Sequence, residues 1–270
     1  MGAQQAAVAK TAQDALLVTE RRGPVLLIGI NRPNKRNALN DTAVLALEDI
    51  FATLSEDVRS IVIHGIGDHF SAGLDLSELT ERDAAEGMAH SAMWHRAFQK
   101  IEFCRAPVVA VLKGAVIGGG LELACATHVR VAERSAFYAL PEGQRGIFVG
   151  GGGSVRIPRL VGVARMADMM LTGHTYNAEE GLSIGFSQYL VEDGAGLDKA
   201  IALAERIAGN APLTNFAVVQ ALPRIAASDP AAGFLTESLM SAIAQSDKEA
   251  KRRVRAFLDK QAPKVQVEKK

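Results

Sequence analysis

The chain has 270 residues, 48% of them hydrophobic and 22% charged, a composition typical of a globular protein of one or two domains. Its 30 basic residues balance its 30 acidic ones, and this zero net charge argues against general nucleic-acid binding and against a role at a membrane surface. Cys104 and Cys125 lack the CxxC spacing of a metal or redox site, so we expect two reduced thiols in a cytoplasmic protein. The longest apolar runs have the length of strands, which predicts no membrane span.

The first 14 residues are rich in Ala and Gln and lack a signal or transit pattern, so we expect a flexible tail. Residues 15–20 and 25–31 then have the composition of two strands joined by a tight turn. Asn40 or Asp41 caps a helix, and its apolar residues recur every three or four positions. These residues are Val44, Leu47, Phe51, Leu54 and Val58.

The middle of the chain alternates between strand and helix patterns. Such alternation predicts parallel strands with right-handed crossovers, that is, an α/β protein. The predicted elements are a strand at 60–64, an irregular stretch at 65–75, a helix at 81–103, a strand at 107–112, a turn at 114–120, a helix at 121–127, a strand at 128–132, an extended segment at 137–140 and a helix opened by the glycines at 150–153.

After about Asp193 the strand patterns stop. Helices are predicted at 197–208, 214–226, 230–245 and 247–260. We therefore divide the chain into the tail at 1–14, a core at 15–195 and a helical region at 196–270, which we expect to pack on the core or on a neighbouring chain.

Two glutamates each follow a glycine-containing turn: Glu122 comes after the glycines at 118–120, and Glu142 lies in the Leu-Pro-Glu-Gly turn at 140–143. A glycine turn that opens a helix presents free backbone N–H groups to a ligand. Two carboxyl groups at one site do not both ionise easily, so one keeps its proton near neutral pH and an acid and a base coexist. The glycine run also has a structural interpretation, because such runs ease the packing of a helix on a strand.

Other motifs point away from several kinds of chemistry. Gly65-Ile66-Gly67 lacks the third glycine of a dinucleotide site, and no loop carries Gly-Lys-Ser/Thr. The sequence has no Gly-x-Ser-x-Gly elbow to activate Ser71 or Ser154, and no HExxH pattern among its histidines. The cations at 32–36 have two interpretations, a solvated loop or a pocket for phosphates.

These pieces, in this order, resemble the crotonase superfamily, the enoyl-CoA hydratase/isomerase family, over about residues 15–262. The ordered motifs across this length are specific for the family, though not for one reaction. The resemblance rests on Asn31-Arg32-Pro33 with Arg36-Asn37-Ala38-Leu39, Phe70-Ser71-Ala72-Gly73-Leu74-Asp75-Leu76, the Gly114–Ala124 stretch with its three glycines and Glu122, Pro141-Glu142, and Phe257-Leu258-Asp259-Lys260.

The resemblance implies a crotonase-like spiral of ββα units with a helical C-terminal region, assembled as a homotrimer or as a homohexamer of paired trimers. It implies that the N–H groups of Leu74 and Gly119 form an oxyanion hole for the carbonyl of a coenzyme A thioester, with Glu122 and Glu142 as the catalytic carboxyl groups. Further residues are implied to bind the substrate: Arg36, Ala38, Ala72, Gly73, Asp75, Leu76, Gly118, Phe257 and Lys260.

Hydratases of this family keep both glutamates, and both are present here. The resemblance therefore favours a lyase of fatty acid metabolism that adds water to a 2-enoyl-CoA, with coenzyme A as part of the substrate and with no metal and no separate cofactor. The alternatives are a double-bond isomerase, a thioester hydrolase, or a non-catalytic relative that binds CoA or RNA.

The acyl group is expected to lie against the helix at 81–103 and against Phe148. Candidate contacts on that helix are Met88, Ala92, Trp94, His95 and Phe98, each of which also fits ordinary core packing. Arg145 departs from the family pattern, which is aliphatic after the second glutamate. A cation there would favour the ionised form of Glu142 unless it points away.

Overall fold

A computed structural model describes residues 15–78 and 81–261, so the expected N-terminal tail lies outside the described residues. The strands are β1 (Leu17–Arg22), β2 (Val25–Ile30), β3 (Ser60–Gly65), β4 (Val108–Leu112), β5 (Ala115–Ile117), β6 (Val129–Glu133), β7 (Phe137–Ala139), β8 (Tyr176–Asn177) and β9 (Tyr189–Val191). The helices are α1 (Asp41–Ala52), α2 (Ala84–Glu102), α3 (Gly119–Cys125), α4 (Gly153–Val161), α5 (Val163–Thr172), α6 (Ala178–Ile184), α7 (Gly196–Ala208), α8 (Pro212–Phe216), α9 (Leu222–Ala227), α10 (Pro230–Ser246) and α11 (Lys248–Leu258).

The main sheet has six strands in the order β1-β2-β3-β4-β6-β9. β1 and β2 form the expected antiparallel hairpin, and every other neighbouring pair is parallel. A smaller sheet of β5, β7 and β8 lies beside it. The fold is therefore the expected α/β one, followed by a helical C-terminal region.

Both faces of the main sheet are covered, which is why the inner strands β2 and β4 are apolar throughout. Along β2 the side chains alternate: Ile28 and Ile30 belong to a core shared with α1 and α2, whereas Val25 and Leu27 face α7. α7 begins at Gly196, next to the boundary expected at residue 195, and packs on this second face. The division into core and helical region stays a prediction.

Three details differ from the sequence-based expectations. The segment 114–120 is not only a turn, because its residues Ala115–Ile117 form β5 and pair with β7. α1 ends at Ala52, so Leu54 and Val58 lie beyond the helix, although Val58 is still buried. The short strands β8 and β9 were not predicted.

No helix in the described ranges is both long enough and apolar enough to cross a membrane.

Candidate active site

A cavity of about 300 Å³ lies between α2, the start of α3 and the segment 142–151. It brings together seven of the predicted site residues: Ala72, Leu74, Leu76, Gly118, Gly119, Glu122 and Glu142. The other predicted residues, Arg36, Ala38, Gly73, Asp75, Phe257 and Lys260, do not line it. The cavity is also lined by Arg82, Gly87, His90, Ser91, Trp94, Arg145, Ile147, Phe148, Val149, Gly150 and Gly151.

Two backbone N–H groups meet at this cavity. Leu74 forms a parallel β-bridge with Leu39. The two hydrogen bonds of this bridge run from the Leu39 N–H to the Gly73 carbonyl and from the Asp75 N–H to the Leu39 carbonyl, so neither uses the N–H of Leu74. Gly119 is the first residue of α3, where an N–H has no acceptor within the helix. Within the described residues, the N–H groups of Leu74 and Gly119 donate no hydrogen bond, so both are available to a ligand oxygen.

Gly119 allows these two segments to approach. A Cβ atom at this position would lie 3.5 Å from the backbone nitrogen of Leu74 and only 2.9 Å from Cζ3 of Trp94. Gly118 has a positive φ of 52°, and a Cβ there would lie 2.6 Å from Oε1 of Glu142. The glycine turn therefore does more than ease packing: its missing side chains leave room for Trp94 and Glu142 beside the N–H groups.

Glu122 projects from α3 and is buried, with 3% of its surface exposed. Its Oε1 accepts hydrogen bonds from the N–H groups of Gly151, at 2.8 Å, and Gly153, at 2.7 Å. Burial raises the pKa of Glu122 above its ordinary value, although these N–H groups act in the opposite direction. The run of glycines at 150–153 thus holds the carboxyl group of Glu122 in position.

Glu142 follows β7 and precedes a short 3₁₀ turn at Gly143–Arg145. Its side chain is also buried, and Oε2 has no hydrogen-bond partner within the described residues. The pKa of Glu142 is raised to about 7, chiefly by burial and also by the charge of Glu122, while the charge of Arg145 acts to lower it. Near neutral pH this group is present in both protonation states, as an acid or base in catalysis requires.

One face of α2 forms a wall of the cavity, with Gly87, His90, Ser91 and Trp94 at the spacing i, i+3, i+4 and i+7. Asp41 accepts hydrogen bonds from Trp94 Nε1, at 3.3 Å, and lies 2.7 Å from His90 Nε2. The helix starts at a capping box in which Asp83 and Glu86 bond each other's backbone N–H groups, which fixes the register of this wall.

Part of this wall differs from the predicted contacts of the acyl group. Trp94 and Phe148 line the cavity as expected, but Met88, Ala92 and His95 are exposed on other faces of α2, and Phe98 is fully buried in the core. His90, Ser91 and Gly87 line the cavity but were not predicted to do so. The helical spacing from Trp94 backwards would have identified them.

Two of the cations at 32–36, which were interpreted as a solvated loop or a phosphate pocket, form ion pairs with Asp75. Asp75 is 5% exposed and accepts hydrogen bonds from Arg32, at 2.7 Å, and Lys35, at 2.9 Å. Hydrogen bonds from Ser77 and from these two cations hold the pKa of Asp75 well below its ordinary value. Arg36 is exposed beside them with a positive φ of 49°. Of the two cations that pair with Asp75, Lys35 has a largely solvent-accessible side chain.

Phe257 and Lys260 lie at the end of α11 and just beyond it, and both are exposed. Their predicted role in binding the substrate stays a prediction. Among the described residues, no three His, Cys, Asp or Glu side chains are grouped closely enough to hold a metal ion. Both cysteines are free and buried.

Comparison with known proteins gives a consistent result. A model of the enoyl-CoA hydratase/isomerase family matches residues 20–267. The short-chain-enoyl-CoA hydratase of Clostridium acetobutylicum is 30% identical over 247 residues, 90% of this chain and 95% of the relative. The crotonyl-CoA hydratase of Syntrophomonas wolfei is 33% identical over 194 residues, 71% of this chain and 75% of the relative. A solved structure of a provisionally named enoyl-CoA hydratase from Rhodopseudomonas palustris is 66% identical and has a TM-score of 0.89, with 94% of this chain and 98% of that chain covered.

Proposed function

Because this chain belongs to the enoyl-CoA hydratase/isomerase family, we propose that it is an enoyl-CoA hydratase whose site is the cavity between α2 and α3. The observation that supports this function most directly is the convergence of two buried carboxyl groups with raised pKa, Glu122 and Glu142, on a cavity that also exposes two free N–H groups. The substrate is a 2-enoyl-CoA, and the product is a 3-hydroxyacyl-CoA.

The N–H groups of Leu74 and Gly119 bind the thioester carbonyl oxygen in this mechanism. When water attacks C3, the electrons of the C2–C3 double bond move through the conjugated system to that oxygen, which becomes negative. Preorganised N–H donors stabilise such a developing charge more than they stabilise the neutral substrate, so they lower the barrier.

Glu122 and Glu142 move the protons. Glu122, held by the N–H groups of Gly151 and Gly153, takes a proton from the attacking water, and Glu142 gives a proton to C2. The two groups titrate as a coupled pair, because the charge of Glu122 raises the pKa of Glu142. Water supplies all the atoms that are added, and carboxyl and N–H groups supply the acid, the base and the charge stabilisation. We therefore propose that hydration needs no metal and no cofactor beyond the coenzyme A of the substrate.

An isotope experiment tests this function. The purified protein is incubated with crotonyl-CoA in ¹⁸O-labelled water, and the products are analysed by mass spectrometry. We expect 3-hydroxybutyryl-CoA with one ¹⁸O atom at C3. Release of free coenzyme A with label in the carboxylate would indicate a hydrolase, and a shifted double bond without label at C3 would indicate an isomerase.

We also propose that the chains assemble as trimers or as hexamers of paired trimers. α10 contains a single buried residue, Gly233, whereas Phe234, Leu235 and Leu239 are more than half exposed. Large exposed apolar patches of this kind are usual at protein interfaces. Such an assembly would also allow Phe257 and Lys260 to act at the site of a neighbouring chain. The two free thiols support a reducing compartment, and we propose the cytoplasm.

A further inference from the structure

The cavity that holds the two glutamates also contains cationic side chains that hydration does not use. These are Arg82 and Arg145, which line it together with His90 and the apolar side chains of Leu76, Ile147, Phe148 and Val149. A pocket for a purely aliphatic acyl group has no need of guanidinium groups, since an unpaired charge beside an apolar chain keeps its preference for water. The polar groups therefore require an explanation of their own.

Arg145 is the most available of these cations. Its residue is exposed, and its guanidinium forms no ion pair or hydrogen bond within the described ranges 15–78 and 81–261. Its charge reaches Glu142, since it lowers the pKa of that group. Arg145 thus lies at the cavity, and no carboxylate of the described residues is bound to it.

Arg82 and His90 both lie near the carboxylate of Asp41. Oδ1 of Asp41 is 2.7 Å from His90 Nε2, whereas Oδ2 is 3.8 Å from the guanidinium of Arg82, at the long end of ion-pair distances. The same carboxylate also accepts a hydrogen bond from Trp94. Glu142 also faces the cavity, and because its pKa is raised to about 7 it is only partly ionised near neutral pH. Within the described residues, Arg145 is therefore the arginine of this cavity that forms no ion pair with a carboxylate.

We propose that this cavity binds 2-enoyl-CoA substrates whose acyl chain carries a carboxylate, and that Arg145, assisted by Arg82, is the specificity-determining residue for that group. The proposal rests on the proposed hydratase function. Arginine suits the role because its planar fork of N–H donors matches the two oxygens of a carboxylate. The apolar residues Leu76, Ile147, Phe148 and Val149 contact the methylene groups between the thioester and the carboxylate.

A binding experiment with unreactive thioesters tests the proposal without using turnover. Hexanoyl-CoA and adipyl-CoA have the same chain length and differ in the terminal carboxylate, and a pair of eight-carbon thioesters repeats the test at greater reach. We expect the wild-type protein to bind the carboxylated member more tightly. Arg145→Leu should reduce that preference about tenfold or more, as expected for the loss of a charged hydrogen-bonded pair, and Arg145→Lys should retain part of it.

Arg96→Leu is the matched control, because Arg96 lies on an exposed face of α2 and does not line the cavity. Its preference should equal that of the wild type. An equal affinity of the wild-type protein for both members at both chain lengths would overturn the proposal, and so would a preference that survives Arg145→Leu.

Turnover of the corresponding 2-enoyl-CoA pair separates this proposal from the proposed function. Hydration of both substrates at similar kcat/KM would contradict the carboxylate specificity and leave the hydratase function intact. A carboxylate preference in binding without hydration of either substrate would support the subsite and contradict the hydratase.

Discussion

Glu122 and Glu142 differ in how the protein treats their carboxyl oxygens. Oε1 of Glu122 accepts two N–H groups, which orient it and favour its ionised form, whereas Oε2 of Glu142 is buried without a protein partner in the part of the chain that the structure describes. A carboxyl oxygen without an acceptor or donor nearby retains a proton easily. This asymmetry supports Glu122 as the base and Glu142 as the proton donor.

Replacing either glutamate with glutamine should therefore lower kcat by about 10²–10⁴-fold, because an amide has a similar shape but cannot exchange the proton. The measurement is the loss of enoyl-thioester absorbance over time. Glu205→Gln serves as the control, since Glu205 is exposed on α7 and does not line the cavity. A loss of less than about tenfold for Glu122→Gln or Glu142→Gln would contradict the two-carboxylate mechanism.

The pH dependence should follow Glu142, whose pKa is about 7. A proton donor is active when protonated, so kcat/KM should fall as the pH rises through about 7. Arg145 lowers this pKa, and Arg145→Leu should therefore move the falling limb to higher pH. Arg145→Lys, which keeps the charge, should leave the limb close to its original position.

The profile is measured with an uncharged acyl group, so that the proposed carboxylate subsite has no part in it. A limb that stays in place in Arg145→Leu would show that the charge of Arg145 does not reach the reacting carboxyl group. A limb that rises with pH would assign the role of base to Glu142.

At the level of the helices, the first residue of α3 supplies one of the two proposed oxyanion donors. Gly119→Pro removes this N–H, and proline is tolerated at the first position of a helix. Gly119→Ala keeps the N–H but adds the same Cβ near Trp94. We expect Gly119→Pro to have a kcat about 10²–10³-fold below that of Gly119→Ala. Circular dichroism checks that both variants fold, and equal rates for the two would contradict the oxyanion role of this N–H.

The long elements could be predicted from the sequence because each carries its own periodic pattern. α2 and α7 begin and end within a few residues of the predicted positions, and Asn40 caps α1 as expected. β5 could not be predicted, because its three residues between two glycines are too few to show an alternation of apolar and polar side chains. Only its pairing with β7 makes this segment a strand. α1 was predicted too long because Val58 continues its apolar spacing although Val58 follows a turn.

For the candidate site, the sequence identified the residues with intrinsic chemistry and missed those defined by long-range contacts. Glu122 and Glu142 stand out as carboxylates beside glycine turns. That Glu122 is held by Gly151 and Gly153, or that Asp41 bonds His90 and Trp94, depends on how distant segments pack, which no local pattern reports. Met88, Ala92 and His95 were wrong candidates for the acyl pocket, because they lie on faces of α2 that do not line the cavity.

At the scale of the whole molecule, α10 leaves several apolar side chains exposed in the part of the chain that the structure describes. Leu235 and Leu239 are separated by one turn of α10 and are 63% and 56% exposed. Such exposure on a monomer favours association. Replacing both with serine should convert the proposed trimer into monomers without loss of the main sheet.

Sedimentation velocity measures the assembly state, and circular dichroism measures the fold. The control is Glu237→Ser, which changes an exposed polar residue of the same helix and should leave the assembly unchanged. A wild-type protein that sediments as a monomer would contradict the proposed assembly. A Leu235→Ser, Leu239→Ser variant that still sediments as a trimer would exclude this face of α10 from the interface.

The carboxylate oxygen of Glu122 that receives the N–H groups of Gly151 and Gly153 also holds the start of α4 in place. Each time Glu122 takes a proton during turnover, this oxygen carries less negative charge, and both hydrogen bonds weaken. One oxygen atom therefore serves both the proposed reaction and the anchoring of a helix. We expect substitutions that raise the thermal stability of this protein to leave Glu122 in place and to fall elsewhere, as in the outer helices.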